Sequence, residues 1–153
     1  MSKKASLAQT SLHSALSHLE TLVAGAVLVA AGFGLSGLST VKYSSLESFT
    51  TVNTVFPVFI AGLLIASGFI IAFSQQRLGF AVVTTIQQYS AATVAAILYA
   101  IGQFLIGFGN NLVPTDMLFG TIVIIAGYTL VAVSIIITGN TGLAISKMTA
   151  PSK

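Results

Sequence analysis

The 153-residue chain has no cysteine, and its charged residues are three acids and six bases. Without cysteine there is no disulfide, no thiolate metal site and no cysteine nucleophile. Charged side chains make up 6% of the sequence and hydrophobic ones 55%, whereas an ordinary soluble domain is about a quarter charged. So little charge cannot cover a surface that faces water on all sides, so the chain belongs in a membrane or an apolar shell of similar character. The length allows one small bundle and no separate soluble catalytic domain. No Asn-x-Ser/Thr sequon occurs. The opening "MSKKASLAQTSLHSALSHLE" puts about twenty polar-rich residues before the first apolar run, too long for the leader of a cleaved secretion signal, so this segment is expected to be retained.

Asp, Glu, Lys, Arg and His are also missing from four apolar stretches, residues Leu22–Leu38, Val52–Phe73, Ala91–Phe108 and Met117–Thr138. About twenty helical residues cover the ~30 Å apolar core of a bilayer, and each stretch approaches or exceeds that length. The runs are too long for strands and lack a two-residue alternation. The expected fold is therefore all-α, a hydrophobic four-helix bundle of membrane-protein character. Pumps, proton relays and voltage sensors need charged groups at these depths, so their absence argues against such functions while leaving a carbonyl-lined pore open.

What is present is self-similar. "VFIAGLLIASGFIIAF" (58–73) and "VIIAGYTLVAVSIIIT" (123–138) match at Val58/Val123, Ile60/Ile125, Ala61/Ala126, Gly62/Gly127, Ile70/Ile135 and Ile71/Ile136. Unrelated segments of this composition would share roughly two identities. At an offset of seventy, Ala26/Ala96, Leu28/Leu98, Ala30/Ala100, Gly32/Gly102, Leu35/Leu105 and Gly37/Gly107 coincide. The same offset aligns the lead-ins "LHSALSHL" and "VVTTIQQY", where Leu12/Val82, Leu16/Ile86 and Leu19/Tyr89 form an apolar stripe. The chain is thus expected to be a tandem-duplicated helical hairpin, residues 1–75 and 76–153, each half an amphipathic lead-in and two apolar helices. Two-span units return the chain to one side, so the repeats are parallel.

Local signals place the ends. Asn110-Asn111 after Gly109 is expected to stop the third span, and Thr115 or Asp116 to cap the fourth. Pro57 is tolerated if Asn53 or Thr54 caps the second span. Gly79 is the expected break between the halves. Lys3, Lys4, Arg77, Lys147 and Lys153 fall on the side of the termini and the middle loop, and only Lys42, with Glu47 and Asp116, falls on the other. This bias puts both termini on the cytoplasmic or interior face.

Small residues recur every seven positions: Gly25, Gly32 and Ser39; Ala95, Gly102 and Gly109; Gly120, Gly127 and Ser134. Together with Gly62 they are the candidate helix-packing positions, since a heptad of small residues lets backbones approach closely. Catalytic chemistry finds no footing. His13 and His18 are five residues apart and diverge by about 140° on a helix, a poor metal pair. Glu20 has no partner carboxylate. "GFGLSG" lies within an apolar run and not between a strand and a helix, so it is no phosphate loop. Tyr43, Tyr99 and Tyr128 read as interfacial or packing aromatics. No nucleophile–base set occurs; the chain is read as a non-enzyme with no cofactor, no metal and no small-molecule substrate.

A duplicated, glycine-rich four-helix chain resembles the proteolipid subunits of V-type rotary ATPases, but those carry an ion-binding carboxylate in an outer helix. The corresponding stretch here, "IVIIAGYTLVAVSIIIT", has only Tyr128, Thr129 and Ser134 as polar residues, and that reading fails. The Ile/Val/Ala/Gly-rich, cysteine-free doubled hairpin, over about residues 8–145, resembles the major coat proteins of tailed spindle-shaped archaeal viruses. That resemblance implies a high-copy homo-oligomer forming a virion shell around genomic DNA, with or without lipid. In such a shell the basic side would face DNA, each contact weak and the sum multivalent. The alternatives are an integral-membrane accessory subunit of a larger cellular complex, with both termini cytoplasmic, and a solute channel lined by Ser67, Thr93, Gln103, Thr129 and Ser134. For Gln103 a hydrogen bond across the bundle is the preferred expectation.

Overall fold

A computed structural model describes residues 2–40 and 52–148; Lys42, Tyr43, Glu47 and Lys153 lie outside them. The chain is all-helical there, with α1 (Ser2–Thr40), α2 (Val52–Ser74), α3 (Leu78–Gln87), α4 (Tyr89–Leu112) and α5 (Met117–Met148). Four of the five are long and apolar enough to cross a membrane: α1 through His18–Gly37, α2 through Val55–Ser74, and α4 and α5 over their full lengths. The hydrophobic helical bundle expected from composition is the fold observed.

The two lead-ins differ. In α1 the polar-rich opening and the apolar span are one unbroken helix of 39 residues, about 58 Å long. Its counterpart is the separate α3, joined to α4 at Gln88, whose φ of −96° and ψ of 27° leave the helical region. The amide of Gln88 still bonds the carbonyls of Thr84 and Thr85, and its carbonyl accepts from Ala92, so the chain bends there without losing its hydrogen bonds.

Three expected boundaries move. The chain breaks after Ser74, at Gln75 with its φ of 53°, and not at Gly79, which lies inside α3. Asn110-Asn111 does not stop α4. Asn111 bonds back to the carbonyl of Gly107 at 3.0 Å, and the helix runs to Leu112. Helix α2 already begins at Val52, so neither Asn53 nor Thr54 is its cap and Pro57 sits within it. Being so near the N-terminus, the proline costs a single hydrogen bond. The cap of α5 is where the sequence put it: the Phe119 amide donates to Asp116 Oδ1 at 3.0 Å.

Helices α1 and α2 form one antiparallel hairpin and α4 and α5 the other, and α2 is the central element, lying also against α4 and α5. Val58, Ala61 and Ile65 of α2 meet Tyr99, Ala100 and Phe104 of α4 in one buried cluster. Ala66 and Ile70 of α2, Ala92 and Ala95 of α4 and Ile145 of α5 form a second. Helix α1 reaches the second hairpin through Leu35, which packs on the first of these clusters, and through an edge-on contact of Phe33 with Tyr99, ring centroids 6.3 Å apart.

Replacing Asp116 with alanine removes the cap of α5. We expect a loss of about 1 kcal/mol, read as a lower thermal midpoint in detergent, with Asp116→Asn close to wild type.

Candidate functional site

Helix backbones come very close where the heptads of small residues meet. A Cβ on Gly25 would lie 2.5 Å from the carbonyl oxygen of Gly68, and one on Gly68 would lie 2.6 Å from that of Gly25. Seven residues on, a Cβ on Gly32 would sit 2.7 Å from the oxygen of Ala61. The second hairpin has the same construction: Gly102 and Gly127 each bring a carbonyl to 2.7 Å of the other's missing Cβ, and Gly109 and Gly120 do so at 2.8 and 2.9 Å. Only glycine permits these distances. One further heptad step puts Ala95 opposite Ser134, and both are buried. Of the first span's heptad, the Ser39 side chain is not among those described.

The contacts correct one correspondence drawn from identity. Gly25/Gly68 and Gly32/Ala61 coincide with Ala95/Ser134 and Gly102/Gly127 when the second helices are offset by sixty-six residues, not sixty-five. Gly62 is therefore not the structural equivalent of Gly127. Its missing Cβ faces Ala96 of α4 at 2.9 Å, between the hairpins, whereas Gly127 packs within its own. Sequence reasoning missed Gly68 and Gly142. Gly142 faces the Ile70 carbonyl at 2.8 Å and ties α5 to α2. It extends the Gly120–Gly127–Ser134 stripe with one residue of slip, a signal a strict seven-residue spacing passes over.

Basic residues gather at the end of the bundle holding the α2–α3 link. Gln76 donates to the carbonyl of Ile145 at 3.4 Å, which ties the link to the last turns of α5. Exposed Arg77 and exposed Lys147 consequently share that end. Lys3 and Lys4 stand in the first turn of α1, on the same side of the spans; of their side chains nothing is described.

The polar residues of the spans fall on separate surfaces. Tyr99 is buried to 1% exposure. Ser36 of α1 and Gln103 of α4 are the polar side chains beside its hydroxyl, and neither meets hydrogen-bond geometry with it. Ser67 and Thr93 border an outer groove of about 350 Å³ with Leu63, Thr85, Ile86, Tyr89 and Ala92. Thr129 is exposed and bonds the Ile125 carbonyl of its own helix at 2.8 Å, while Ser134 is buried in the small-residue stripe. These five candidates for a channel lining do not share one path. His18 stands beside Thr21, Leu22, Ala72, Phe73 and Gln75, and among the described residues no three His, Asp or Glu groups converge on a metal position.

No protein-family model matches the chain, and neither a curated protein nor a solved structure matches it.

Two outcomes test the packing. Gly127→Leu forces a side chain onto the Gly102 backbone and should cost about 1–3 kcal/mol or more, while Gly34→Ala, with nothing within 4 Å, should be neutral or gain up to about 1 kcal/mol; thermal unfolding in detergent distinguishes them. Tyr99→Phe removes a buried hydroxyl that makes no formed bond, so stability should hold or rise by about 1 kcal/mol, and a fall would show that Ser36 or Gln103 engages it.

Proposed function

We propose that the chain is a structural subunit that packs side by side with copies of itself into a virion shell enclosing DNA. The observation that carries this reading is the pair of uncovered apolar helices on separate flanks of the molecule. On α5 only the stripe Gly120, Gly127, Ser134, Thr138, Gly142 and Ile145 is buried. The remaining circumference presents Leu118, Phe119, Ile122, Ile125, Tyr128 and Ile136, each more than half exposed. On α1, Leu19, Leu22, Val23 and Val27 are likewise more than half exposed.

The physics suits lateral assembly. Apolar faces without ion pairs attract through dispersion, which has no preferred direction, so neighbours can slide as a shell changes curvature. Each hairpin meanwhile stays stiff, because its backbones touch at glycines. The interiors of the spans, residues 22–38, 52–73, 91–108 and 117–138, hold no Asp, Glu, Lys, Arg or His that would carry an ion or a proton across. Basic residues collect at one end of the bundle, the end this reading turns toward the enclosed DNA.

Cryo-electron microscopy of the purified native material tests the proposal. A continuous lattice of one repeating subunit is expected, with DNA-like density against the face that carries both termini. Discrete particles holding one or a few copies beside larger chains would make this an accessory subunit of a cellular membrane complex. In a shell-forming chain, Ile122→Arg combined with Ile125→Arg should abolish the lattice while the helix content in detergent stays unchanged.

A further inference from the structure

The packing register of the first hairpin fixes how far α1 reaches. With Gly25 opposite Gly68 and Gly32 opposite Ala61, Leu19 stands level with Ser74, the last residue of α2. The remainder of α1, residues 2–18, continues as helix beyond that level. Lys3 and Lys4 are then about 23 Å past the end of α2, at 1.5 Å per residue. Helix α5 does not follow it, since its last turns are tied to the link by Gln76 and Ile145. The end of the bundle thus has two tiers of positive charge: a collar of Arg77 and Lys147, and an arm tip of Lys3 and Lys4.

Distance separates the work of the tiers. Interfacial headgroups add only about 5–8 Å to each side of the hydrocarbon core. The apolar windows of α1 and α2 end together at His18 and Ser74, so with the edge of the apolar layer set at that level the collar lies within reach of the headgroup layer, and ordinary sorting of positive charge explains it. The arm tip lies well beyond it. Nothing in the arm neutralises the tip either, because residues 2–19 contain no acid and Glu20 is the first. Glu20 is roughly 24 Å from Lys4 along the helix, about three screening lengths at physiological salt. The positive end of the helix dipole falls at the same tip.

We infer that α1 is a rigid arm that carries Lys3 and Lys4 to the phosphates of duplex DNA held away from the apolar layer. The inference rests on the shell reading and divides its basic face into a membrane-level collar and a DNA-level arm. One arm makes about two phosphate contacts and binds weakly alone. An array of copies presents many arms to one polyanion, and the contacts add as a multivalent set.

The test uses the full chain, several copies per nanodisc of neutral phosphatidylcholine, and a 60-base-pair duplex titrated at a series of salt concentrations. Lys3→Gln with Lys4→Gln should flatten the slope of log affinity against log salt by about 1.8 per subunit engaged, from 0.9 per lost phosphate contact. Arg77→Gln with Lys147→Gln should leave most of the slope in place. A loss that follows only the Arg77 and Lys147 pair overturns the arm and leaves the DNA-enclosing shell standing. Binding to phosphatidylglycerol vesicles with none to DNA overturns it in favour of a second membrane as the arm's partner. Absence of both, with the lattice intact by microscopy, also rejects the arm without touching the shell, whereas absence of the lattice rejects the shell itself.

Discussion

Everything in this molecule hangs on helix backbones meeting where no Cβ intervenes. In water, burying an isoleucine stabilises a fold by about 1.5–3 kcal/mol, but between apolar helices in an apolar medium that drive is absent, because the alternative neighbour is equally apolar. Close packing and dispersion must supply the cohesion, and both rise steeply as the backbones approach. The reciprocal pairs Gly25 with Gly68 and Gly102 with Gly127 bring carbonyl oxygens to 2.5–2.7 Å of where a Cβ would stand, inside the space its methyl group would need. Around these points each hairpin becomes one stiff piece. Gly62 against Ala96 and Gly142 against Ile70 then join the two pieces through α2.

That mode of cohesion also explains which side chains turn inward and which outward. Close approach uses small side chains on the inward stripes and leaves the large ones, Phe119, Ile125 and Tyr128 among them, turned outward. Several threonine hydroxyls of α5 are absorbed by their own helix, as Thr121, Thr129 and Thr141 each bond the carbonyl four residues back. What the outside world meets is therefore apolar flank along the spans and positive charge at one end.

Much of this was legible in the sequence. The spans followed from run length and the missing charges, the cap of α5, narrowed to Thr115 or Asp116, from its place before an apolar run, and the inward stripes from heptads of small residues. The parts that escaped have physical reasons. A positive φ at Gln75 has no compositional mark, whereas Gly79 nearby looked like a natural break. The bend at Gln88 keeps its hydrogen bonds and so needs no proline or glycine to announce it. Gly62 and Gly127 align by identity in a region of biased composition. Only the register of facing backbones shows that one packs between hairpins and the other within, and register belongs to two helices together, so neither alone encodes it.

For the assembly proposed above, the unlike openings of the two hairpins have a consequence for growth. One starts with a straight helix of 39 residues, the other with two helices meeting at an angle at Gln88. Exchanging the halves is therefore not a symmetry of the molecule, and its two flanks cannot be mistaken for each other. Where the α1 flank of one copy meets the α5 flank of the next, the contact is head to tail, and such contacts either close into rings or wind into open helices. A sheet grown this way has a front edge and a back edge, and a new subunit arriving at one of them finds a different partner from one arriving at the other.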